Sequence, residues 1–434
     1  MIQSFFDTPT TVKVAEMRVT PSIRSVLPEP GPVRTLAWST LANTIGMGLF
    51  VTMSAIYFVR SAGLSEAQVG LGLTIAALVG LLSGIPAGHL ADVLGPRRIT
   101  ILCKCIEGGL LCGYAVTRSF AEFVVVATLV TVFESAGQAT KGALIAAVVP
   151  PEQRVRTRAY LRAVINVGAS IGAMFAGFAL VIDTREAYLT LIYVAAALYL
   201  FSAMPLRSLP EIPPQPRPDK GPTWVALGDR PYLALTLLNA VLCLNYSIFT
   251  LALPLFIAQQ TSAPPSVYAV LSLINTITVI LLQVRVSRGT ETVVGAARAQ
   301  RRSGVLLAVA CVLYALADGQ GVWLAVVFLA CGALVHVGGE LLQAAGQWGL
   351  SFELAPDHAQ GQYQGLYSMG SQLANVVTPA VATVALVQWG WPGWVLFGVL
   401  FLTAGAAVPV TSRWAERTRP VPPGHPARER QVSG

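Results

Sequence analysis

The chain has 434 residues, of which 54% are hydrophobic and 12% charged, with a mean hydropathy of +0.63 and a formal net charge of +8. A soluble domain carries about 25% charged residues, so the composition excludes an ordinary water-soluble globular protein. The few charges are clustered and leave long continuous apolar runs. Such runs predict membrane-spanning helices rather than the alternating strands of a β-barrel, so we predict an all-α integral membrane protein.

Twelve apolar runs are candidates to cross a bilayer core, which needs about 20 apolar residues per helix. The predicted spans are 35–58, 67–90, 98–117, 121–149, 159–182, 186–204, 232–257, 265–284, 303–317, 321–346, 363–387 and 391–410. A proline-rich hydrophilic segment follows the sixth span and has the composition of a linker. We therefore expect twelve transmembrane helices in two bundles of six.

These spans divide the chain into five parts. They are a cytoplasmic N-terminal segment (1–33), a first six-helix bundle (34–204), a cytoplasmic linker (205–231), a second six-helix bundle (232–411) and a cytoplasmic tail (412–434). The first part is polar and contains proline, so we do not expect a signal peptide there. The six cysteines all lie in apolar runs, which favours buried thiols over a disulfide framework or a metal site.

Lysines and arginines predict the orientation of the spans. If the N-terminus is cytoplasmic, the outer loops hold only Arg60, Arg118 and Arg185, and Lys104 and Lys141 lie within spans. The inner segments then hold all the others, including Arg154, Arg156, Arg158 and Arg162. Both termini are therefore expected in the cytoplasm. The basic pI of about 9.3 indicates a positive face beside anionic lipid rather than nucleic-acid binding.

The two halves of the chain show a faint internal similarity. Glu134 in span four and Glu340 in span ten are each followed, sixteen residues later, by a proline, Pro150 and Pro356. Each proline precedes a polar turn and another apolar span. Together with the position of the linker, this pattern favours a duplicated six-helix unit and two pseudo-symmetric bundles.

The most specific motif lies between spans two and three and reads Gly88-His89-Leu90-Ala91-Asp92-Val93-Leu94-Gly95-Pro96-Arg97-Arg98. Gly88 permits close helix packing, and Gly95 suits a turn with positive φ. Asp92 can pair with Arg97 or Arg98, or it can cap a neighbouring helix. The alternative is a plain cytoplasmic turn that carries the arginines typical of inner loops.

This motif resembles the Gly-x-Leu-Ala-Asp-x-x-Gly-x-Arg-Arg signature of the major facilitator superfamily of transporters. The resemblance implies two bundles around a central cavity that opens alternately to the two sides of the membrane. It also implies that Asp92, Arg97 and Arg98 make contacts between the bundles that favour one access state. Many members have arginine directly after the aspartate, whereas this chain has Val93.

Span five contains a second, weaker motif in residues 168–177. Its glycines, Gly168, Gly172 and Gly177, resemble the glycine-rich signature of drug–proton antiporters in the same superfamily, although the usual proline is Ala173 here. That resemblance implies export. Close packing of membrane helices through small residues is the alternative explanation.

Ionisable residues within spans are functional candidates, because each costs at least about 2.5–3.5 kcal/mol in a bilayer. They are Lys104 and Glu107 in span three, Glu134 and Lys141 in span four, and His336 and Glu340 in span ten. The spacing of Glu134, Gln138 and Lys141 places them on one helix face. A similar stripe on span ten comprises His336, Glu340, Gln343 and Gln347.

In the fold that the resemblance implies, spans four and ten line the cavity, so the two stripes would face each other. Burial of an acid in an apolar cavity favours its protonated form, which suits a proton-coupling site. We therefore predict proton or substrate coupling at these residues. The alternatives are a structural Glu134–Lys141 pair, a core histidine at 336, and a Lys104 side chain that reaches the cytoplasmic interface.

Amide side chains in other spans are candidate contacts to a substrate. They are Asn43, Asn239, Asn245, Asn275, Gln372 and Asn375. Amides also form hydrogen bonds that hold membrane helices together, and this alternative stays open for each of them.

The leading functional prediction is a secondary active transporter that works by alternating access and exports small lipophilic or drug-like molecules in exchange for protons. The alternatives are a proton-coupled importer of a small nutrient and a non-transporting membrane receptor on the same fold. The sequence has no phosphate-binding loop, metal-spaced histidine cluster or nucleophile elbow. We therefore expect no ATP-driven transport, no metal, no cofactor and no enzymatic activity.

The expected partners are the lipid bilayer, a small-molecule substrate and protons, without nucleic acid, and the expected state is a monomer. The chain is rich in glycine, alanine, valine and arginine. This composition indicates a bacterial source with a high GC content, and hence the inner membrane.

Overall fold

The computed structural model describes residues 28–211, 213 and 223–419, and every regular element in that part of the chain is a helix. The first half contains α1 (Pro32–Arg60), α2 (Glu66–Leu81), α3 (Gly84–Leu94), α4 (Pro96–Leu111), α5 (Gly113–Val116), α6 (Phe120–Val148), α7 (Pro151–Ile182) and α8 (Arg185–Leu206). The prediction of an all-α membrane protein is confirmed.

The second half repeats this pattern of long helices. It contains α9 (Val225–Gly228), α10 (Arg230–Ser247), α11 (Leu253–Gln260), α12 (Val267–Val286), α13 (Val293–Ala315), α14 (Val322–Glu353), α15 (Gln360–Ala382) and α16 (Trp391–Arg417). A π-helical stretch, Ile248–Ala252, joins α10 to α11, and another, Thr383–Gln388, extends α15.

Nine helices in the described residues are long and apolar enough to cross a membrane, or ten if the bent pair α2 and α3 forms one span. Predicted spans nine and eleven correspond to α13 and α15, which carry more polar residues. The helices therefore account for each predicted span, while the number of twelve that cross the bilayer stays a prediction.

The bend of 42° between α2 and α3 has a local cause. The hydroxyl of Ser83 donates to the carbonyl oxygens of Gly80 (2.7 Å) and Val132 (3.0 Å), and Pro86 has no N–H to donate to the preceding turn. A side chain that competes for backbone carbonyls and a nearby proline are both known causes of helix kinks.

Two helices, α7 and α13, begin eight and ten residues earlier than predicted. Helix α7 begins at Pro151, because proline at the first position needs no backbone donor, so its first two turns contain arginines that sequence analysis had counted in a loop. Helix α13 begins at Val293, where the side chain of Thr292 accepts a hydrogen bond from the N–H of Gly295 at 3.1 Å.

The helices pack as two bundles. In the first, α1 packs against α7 and α8, and α6 packs against α2 and α4. In the second, α13 packs against α14 and α16, and α10 packs against α15 and α16. The bundles meet where α15 contacts α3 and α6, and where α7 contacts α12 and α14.

The glycines of span five have different surroundings. A Cβ atom added to Gly168 would lie 2.1 Å from Thr44 Oγ1, and one added to Gly172 would lie 2.2 Å from the carbonyl oxygen of Ile45. These two glycines therefore let α7 lie directly against α1. No atom lies within 4 Å of a Cβ added to Gly177, so the expected packing role is wrong for that residue.

The division of the chain into five parts stays a prediction, and the helix ends can be set beside its limits. Helix α8 ends at Leu206 and α10 begins at Arg230, close to the predicted linker, 205–231. Helix α16 continues to Arg417, beyond the predicted limit at 411. The predictions for residues 1–27, 212, 214–222 and 420–434 lie outside the described residues.

Candidate functional site

The two bundles meet closely at one end of the molecule, which we call the basic end. It is the end that contains the α3–α4 turn, the α6–α7 turn and the connection between α14 and α15. There Gly84 and Gly88 of α3 face Gly361 and Gly365 of α15. A Cβ atom on Gly361 would lie 2.1 Å from the carbonyl oxygen of Gly88, and one on Gly365 would lie 2.3 Å from that of Gly84. The backbones are therefore in direct contact, as in small-xxx-small helix pairs.

Asp92 joins the bundles beside this glycine contact. Its Oδ1 accepts a hydrogen bond from the N–H of Gly361 (2.6 Å), and its Oδ2 accepts one from the N–H of Gln362 (3.0 Å). These donors are at the N-terminus of α15, where a negative charge is stabilised by the helix dipole. The turn that follows Asp92 uses Gly95 with a φ of 95°, as the sequence predicted.

The two motif arginines contact the linker instead of the opposite bundle. Arg98 donates two hydrogen bonds to the carboxylate of Glu211, at 3.2 and 3.1 Å, and Arg97 lies 4.0 Å from the same group. The hydrogen bonds from Arg98 hold the pKa of Glu211 below its usual value. The contacts that cross between the bundles in this motif are therefore made by Asp92, by the backbone of Gly88 and by His89, whose Nδ1 lies 2.9 Å from Gln362 Nε2.

Charged side chains of the first bundle gather around Lys104. Lys104 Nζ donates to Asn43 Oδ1 at 2.9 Å and lies within electrostatic reach of both Glu107 and Glu134. Lys104 and Glu107 are buried, so Lys104 does not reach the cytoplasmic interface as one alternative proposed. Glu134 is partly exposed and bonds to Gln138, which is exposed. Two carboxylates thus lie within electrostatic reach of one ammonium group.

Lys141 does not pair with Glu134, so the alternative of a structural Glu134–Lys141 pair is wrong. Its Nζ donates to Thr40 Oγ1 at 2.8 Å, and the charges nearest to it are the cations of Lys104 and Arg158. The i, i+4, i+7 stripe on α6 is therefore acidic towards the middle of the helix and basic towards the basic end.

In the second bundle, Glu340 forms a buried ion pair with Arg162 of α7, and so joins the two bundles. Asn275 Nδ2 donates to the other carboxylate oxygen of Glu340 at 2.8 Å. Arg162 also donates to the hydroxyl of Tyr246 at 3.2 Å, and that hydroxyl donates to Gln343 Oε1 at 2.7 Å. Both carboxylate oxygens of Glu340 are therefore occupied, in contrast to the arrangement at Glu134.

An amide network lies next to this ion pair and joins four helices. Gln343 Nε2 donates to Asn239 Oδ1 at 2.9 Å, and Gln300 Nε2 donates to the same oxygen at 3.3 Å. Asn239 Nδ2 lies 3.3 Å from both Gln347 Oε1 and Ser371 Oγ. This geometry fits the alternative in which amides hold α10, α13, α14 and α15 together.

Two of the predicted site residues are core residues. Asn245 is fully buried and its Nδ2 donates to the carbonyl oxygen of Leu242 in its own helix at 2.6 Å. His336 is buried with its ring centroid 5.1 Å from that of Phe249 and 6.1 Å from that of Tyr314. It also bonds to the backbone of Asn245. For His336, the alternative of a core histidine describes this environment.

The two remaining predicted amides lie on α15. Gln372 Oε1 accepts a hydrogen bond from the hydroxyl of Ser135 at 2.7 Å, which joins α15 to α6. Asn375 is exposed, and its Oδ1 accepts from Ser247 at 3.4 Å. Gln372 therefore belongs to the contact between the bundles, and Asn375 lies beyond it, towards the opposite end.

Sequence analysis missed a stripe of arginines along α7. Arg154, Arg158 and Arg162 recur every four residues, and each points into the protein. Arg154 donates to the carbonyl oxygens at the end of α6, Arg158 lies 3.4 Å from Gln364 Oε1, and Arg162 pairs with Glu340. Arg156, on the other face, is exposed. The four-residue spacing was the available signal, but these residues were counted as loop cations.

The hydrogen bonds and ion pairs described above between the bundles share one location. Those made by Asp92, Ser135, Arg158 and Arg162 all lie between the middle of the helices and the basic end. The bundles are therefore closed against each other at that end. Two membrane bundles that meet at one end and hold buried charges at their junction are typical of a secondary transporter.

Comparison with known proteins agrees with this class. The model of the Major Facilitator Superfamily matches residues 36–347 and 235–433, and the chain belongs to that superfamily. It is a multi-pass membrane transporter and not an enzyme.

Similar proteins share the fold along most of the chain. The chain is 22% identical over 390 residues to YhjO, an uncharacterized MFS-type transporter of Bacillus subtilis strain 168, covering 88% of this chain and 93% of that protein. It is 16% identical to the human organic anion transporter MFSD10, with a TM-score of 0.68 over 87% of this chain and 98% of that one. It is also 16% identical to a bacterial homologue of the iron transporter ferroportin in its outward-facing state, with a TM-score of 0.67 over 89% and 99% of the two chains.

Proposed function

We propose that this protein is a proton-coupled antiporter that exports small, largely apolar molecules by alternating access. The observation that carries the proposal is the cluster of Lys104, Glu107 and Glu134. Two carboxylates lie within electrostatic reach of one ammonium group, so the cluster contains one more acidic group than basic groups. A proton on either acid makes the cluster neutral, and burial favours that protonated form.

The open side of the cluster gives protons a path. Gln138 is exposed and hydrogen-bonded to Glu134, which is itself partly exposed. The described bonds between the bundles lie towards the basic end, which supports an opening towards the opposite end, on the side of Gln138. The distribution of lysines and arginines supports a cytoplasmic position for the basic end. The described state is then the outward-facing one, in which Glu134 can exchange a proton with the outside.

The proton supplies both the energy and the order of events. A proton that enters Glu134 from outside removes the uncompensated charge, so the cluster can be enclosed when the bundles rock to the inward-facing state. A substrate that binds from the cytoplasm then displaces the proton. Each charge that crosses the membrane contributes about 2.3 kcal/mol per 100 mV.

The testing experiment measures proton movement in proteoliposomes that contain the full chain and a trapped pH dye. A panel of lipophilic compounds of positive, neutral and negative charge is added, with sugars for comparison. We expect proton release on addition of a lipophilic compound, lost in Glu134→Gln. The control is Glu152→Gln, which removes an exposed carboxylate at the start of α7 and should keep full proton release.

Other outcomes identify the alternatives. Proton uptake together with a sugar or another nutrient contradicts export and indicates an importer. Compound binding without any proton movement or accumulation indicates a receptor. Full proton release in Glu134→Gln and also in Glu107→Gln contradicts the assignment of the coupling cluster.

A further inference from the structure

We infer that the exported molecule carries an anionic group, which binds between the side chains of Lys141 and Arg158. This inference rests on the proposed function and names the substrate class of that transport path. It predicts an amphipathic organic anion, with an apolar body and a carboxylate or similar head group, in place of a lipophilic cation.

The charged side chains between the bundles differ in whether they have a counter-charge. Arg162 has the carboxylate of Glu340, and Lys104 has two acids within electrostatic reach. In the described part of the chain, neither Lys141 nor Arg158 forms an ion pair with a carboxylate. Both cations are partly buried and lie within electrostatic reach of each other, and withdrawing a cation from water without a counter-charge is costly. An anion between them would remove both costs.

Lys141 and Arg158 both have N–H donors that form no hydrogen bond with the described residues. A lysine ammonium has three donors and an arginine guanidinium has five. Lys141 donates to Thr40, and Arg158 makes one long contact of 3.4 Å with Gln364 Oε1. The Nε of Arg158 is buried and has no hydrogen-bond partner among the described residues. The guanidinium plane that a carboxylate binds with two parallel hydrogen bonds is therefore largely unused.

Lys141 and Arg158 lie near the surface along which the two bundles meet. Arg158 and Gln364 are separated by 206 residues, the same separation as between Glu134 and Glu340, so they occupy equivalent positions in the two halves. Equivalent residues that touch each other lie next to the pseudo-symmetry axis, where the bundles part. Each of Lys141 and Arg158 lies seven residues from its helix end, about 10 Å at 1.5 Å per residue.

Helix α15 determines when a substrate can reach these two cations. Gln364 belongs to α15, and a Cβ atom on Gly142 would lie 2.9 Å from Gln364 Cβ, so α15 covers Lys141 and Arg158 in the described state. When the bundles part at the basic end, α15 moves away and uncovers both cations. An exporter collects its substrate from that side. The nearby ring of Phe352, whose centroid is 5.4 Å from Arg158 Cζ, offers an apolar surface beside the charge.

The experiment measures binding by thermal shift with the purified full chain in nanodiscs. The probes are 2-naphthoate, its neutral amide 2-naphthamide, the cation 2-naphthylmethylammonium, and inorganic phosphate. We expect 2-naphthoate alone to raise the unfolding temperature. Its Kd should increase at least tenfold in Lys141→Gln and in Arg158→Gln. Arg156→Gln, which removes an exposed arginine from the same helix, is the matched control and should bind like wild type.

Several results would overturn the inference. They are equal stabilisation by the amide or the ammonium compound, no stabilisation of wild type by 2-naphthoate, and unchanged naphthoate binding in both variants. Stabilisation by inorganic phosphate alone would replace the organic anion with a small inorganic one. If Lys141→Gln does not fold, Lys141→Arg keeps the charge and should keep binding, whereas lost binding in a folded Lys141→Arg contradicts a charge-based site.

The two proposals can fail separately. Naphthoate binding at Lys141 and Arg158 without proton movement in proteoliposomes would retain the anion site and remove the antiport mechanism. Proton release driven by neutral or cationic compounds, with no naphthoate binding, would retain the antiporter and remove the anionic substrate.

Discussion

Replacing Gly361 by alanine should open the basic end of this transporter. The new Cβ atom would lie 2.1 Å from the carbonyl oxygen of Gly88 and 2.8 Å from Asp92 Oδ1. Since the first neighbour is backbone, α15 must move away from α3 by about 1 Å. Overpacking of this kind costs about 1–3 kcal/mol, which corresponds to a shift of roughly 5- to 150-fold in a two-state equilibrium.

The cost should change the balance between conformations and leave each bundle folded. Helix α15 also packs against α10, and α3 packs against α4 and α6, and none of these contacts involves the new methyl group. The contact between Gly361 and Gly88 joins the two bundles, so it is lost when they part at this end. The state that is open at the basic end therefore carries none of the penalty.

Double electron–electron resonance can measure this opening directly, as a distance between two spin labels. Spin labels at Arg156 and Arg288, both exposed near the basic end of opposite bundles, report their separation once the native cysteines are replaced. We expect a longer distance to dominate in Gly361→Ala. Gly177→Ala, whose Cβ has no neighbour within 4 Å, is the control. If both variants give the wild-type distance, closure does not depend on the glycine contact and the reasoning is refuted.

Three further predictions concern stability and closure. Glu340→Gln leaves Arg162 without its counter-charge and should destabilise the protein by about 3–5 kcal/mol; removal of both charges should recover part of this loss in thermal unfolding. Gly172→Val should lower the unfolding temperature, because α7 lies directly on α1 there and overpacking costs about 1–3 kcal/mol. An unchanged temperature would contradict the observed packing. Gly177→Val is the control and should have little effect. Asp92→Asn removes the negative charge at the N-terminus of α15, an interaction worth about 0.3–1 kcal/mol. It should therefore increase the population that is open at the basic end, but by less than Gly361→Ala does.

Local signals in the sequence predicted the fold and the closing contact well. Helix positions follow from apolar runs, and the roles of Gly88 and Gly95 follow from the motif that contains them. The motif also allowed two partners for Asp92, an arginine nearby or a helix N-terminus. Only the three-dimensional structure places the N-terminus of α15 next to it, because the two segments are separated by 269 residues.

The central charges were harder to predict because their partners come from different helices. Positive-inside counting treats all arginines near a span end alike, so Arg162 was counted with exposed Arg156 although it lies inside predicted span five, 159–182. The start of α7 at Pro151 places Arg162 eleven residues into the helix. The same counting hid Arg158, although both arginines share the four-residue spacing of one helix face.

The internal repeat predicted that Glu134 and Glu340 are equivalent, and the structure gives a physical reason why they differ. The residue that corresponds to Arg162 in the second half, at the 206-residue separation of Arg158 and Gln364, is Ser368. No duplicated arginine therefore exists to pair with Glu134. Glu340 joins the bundles through its pair with Arg162. Glu134 has no such pair, which is why the proposed mechanism assigns the proton to Glu134. Because the Arg162–Glu340 pair bridges the bundles, it must rearrange in any rocking motion. A variant in which both charges of this pair are removed should therefore shorten the lifetime of the state that is closed at the basic end. The same variant should keep the proposed proton binding at Glu134.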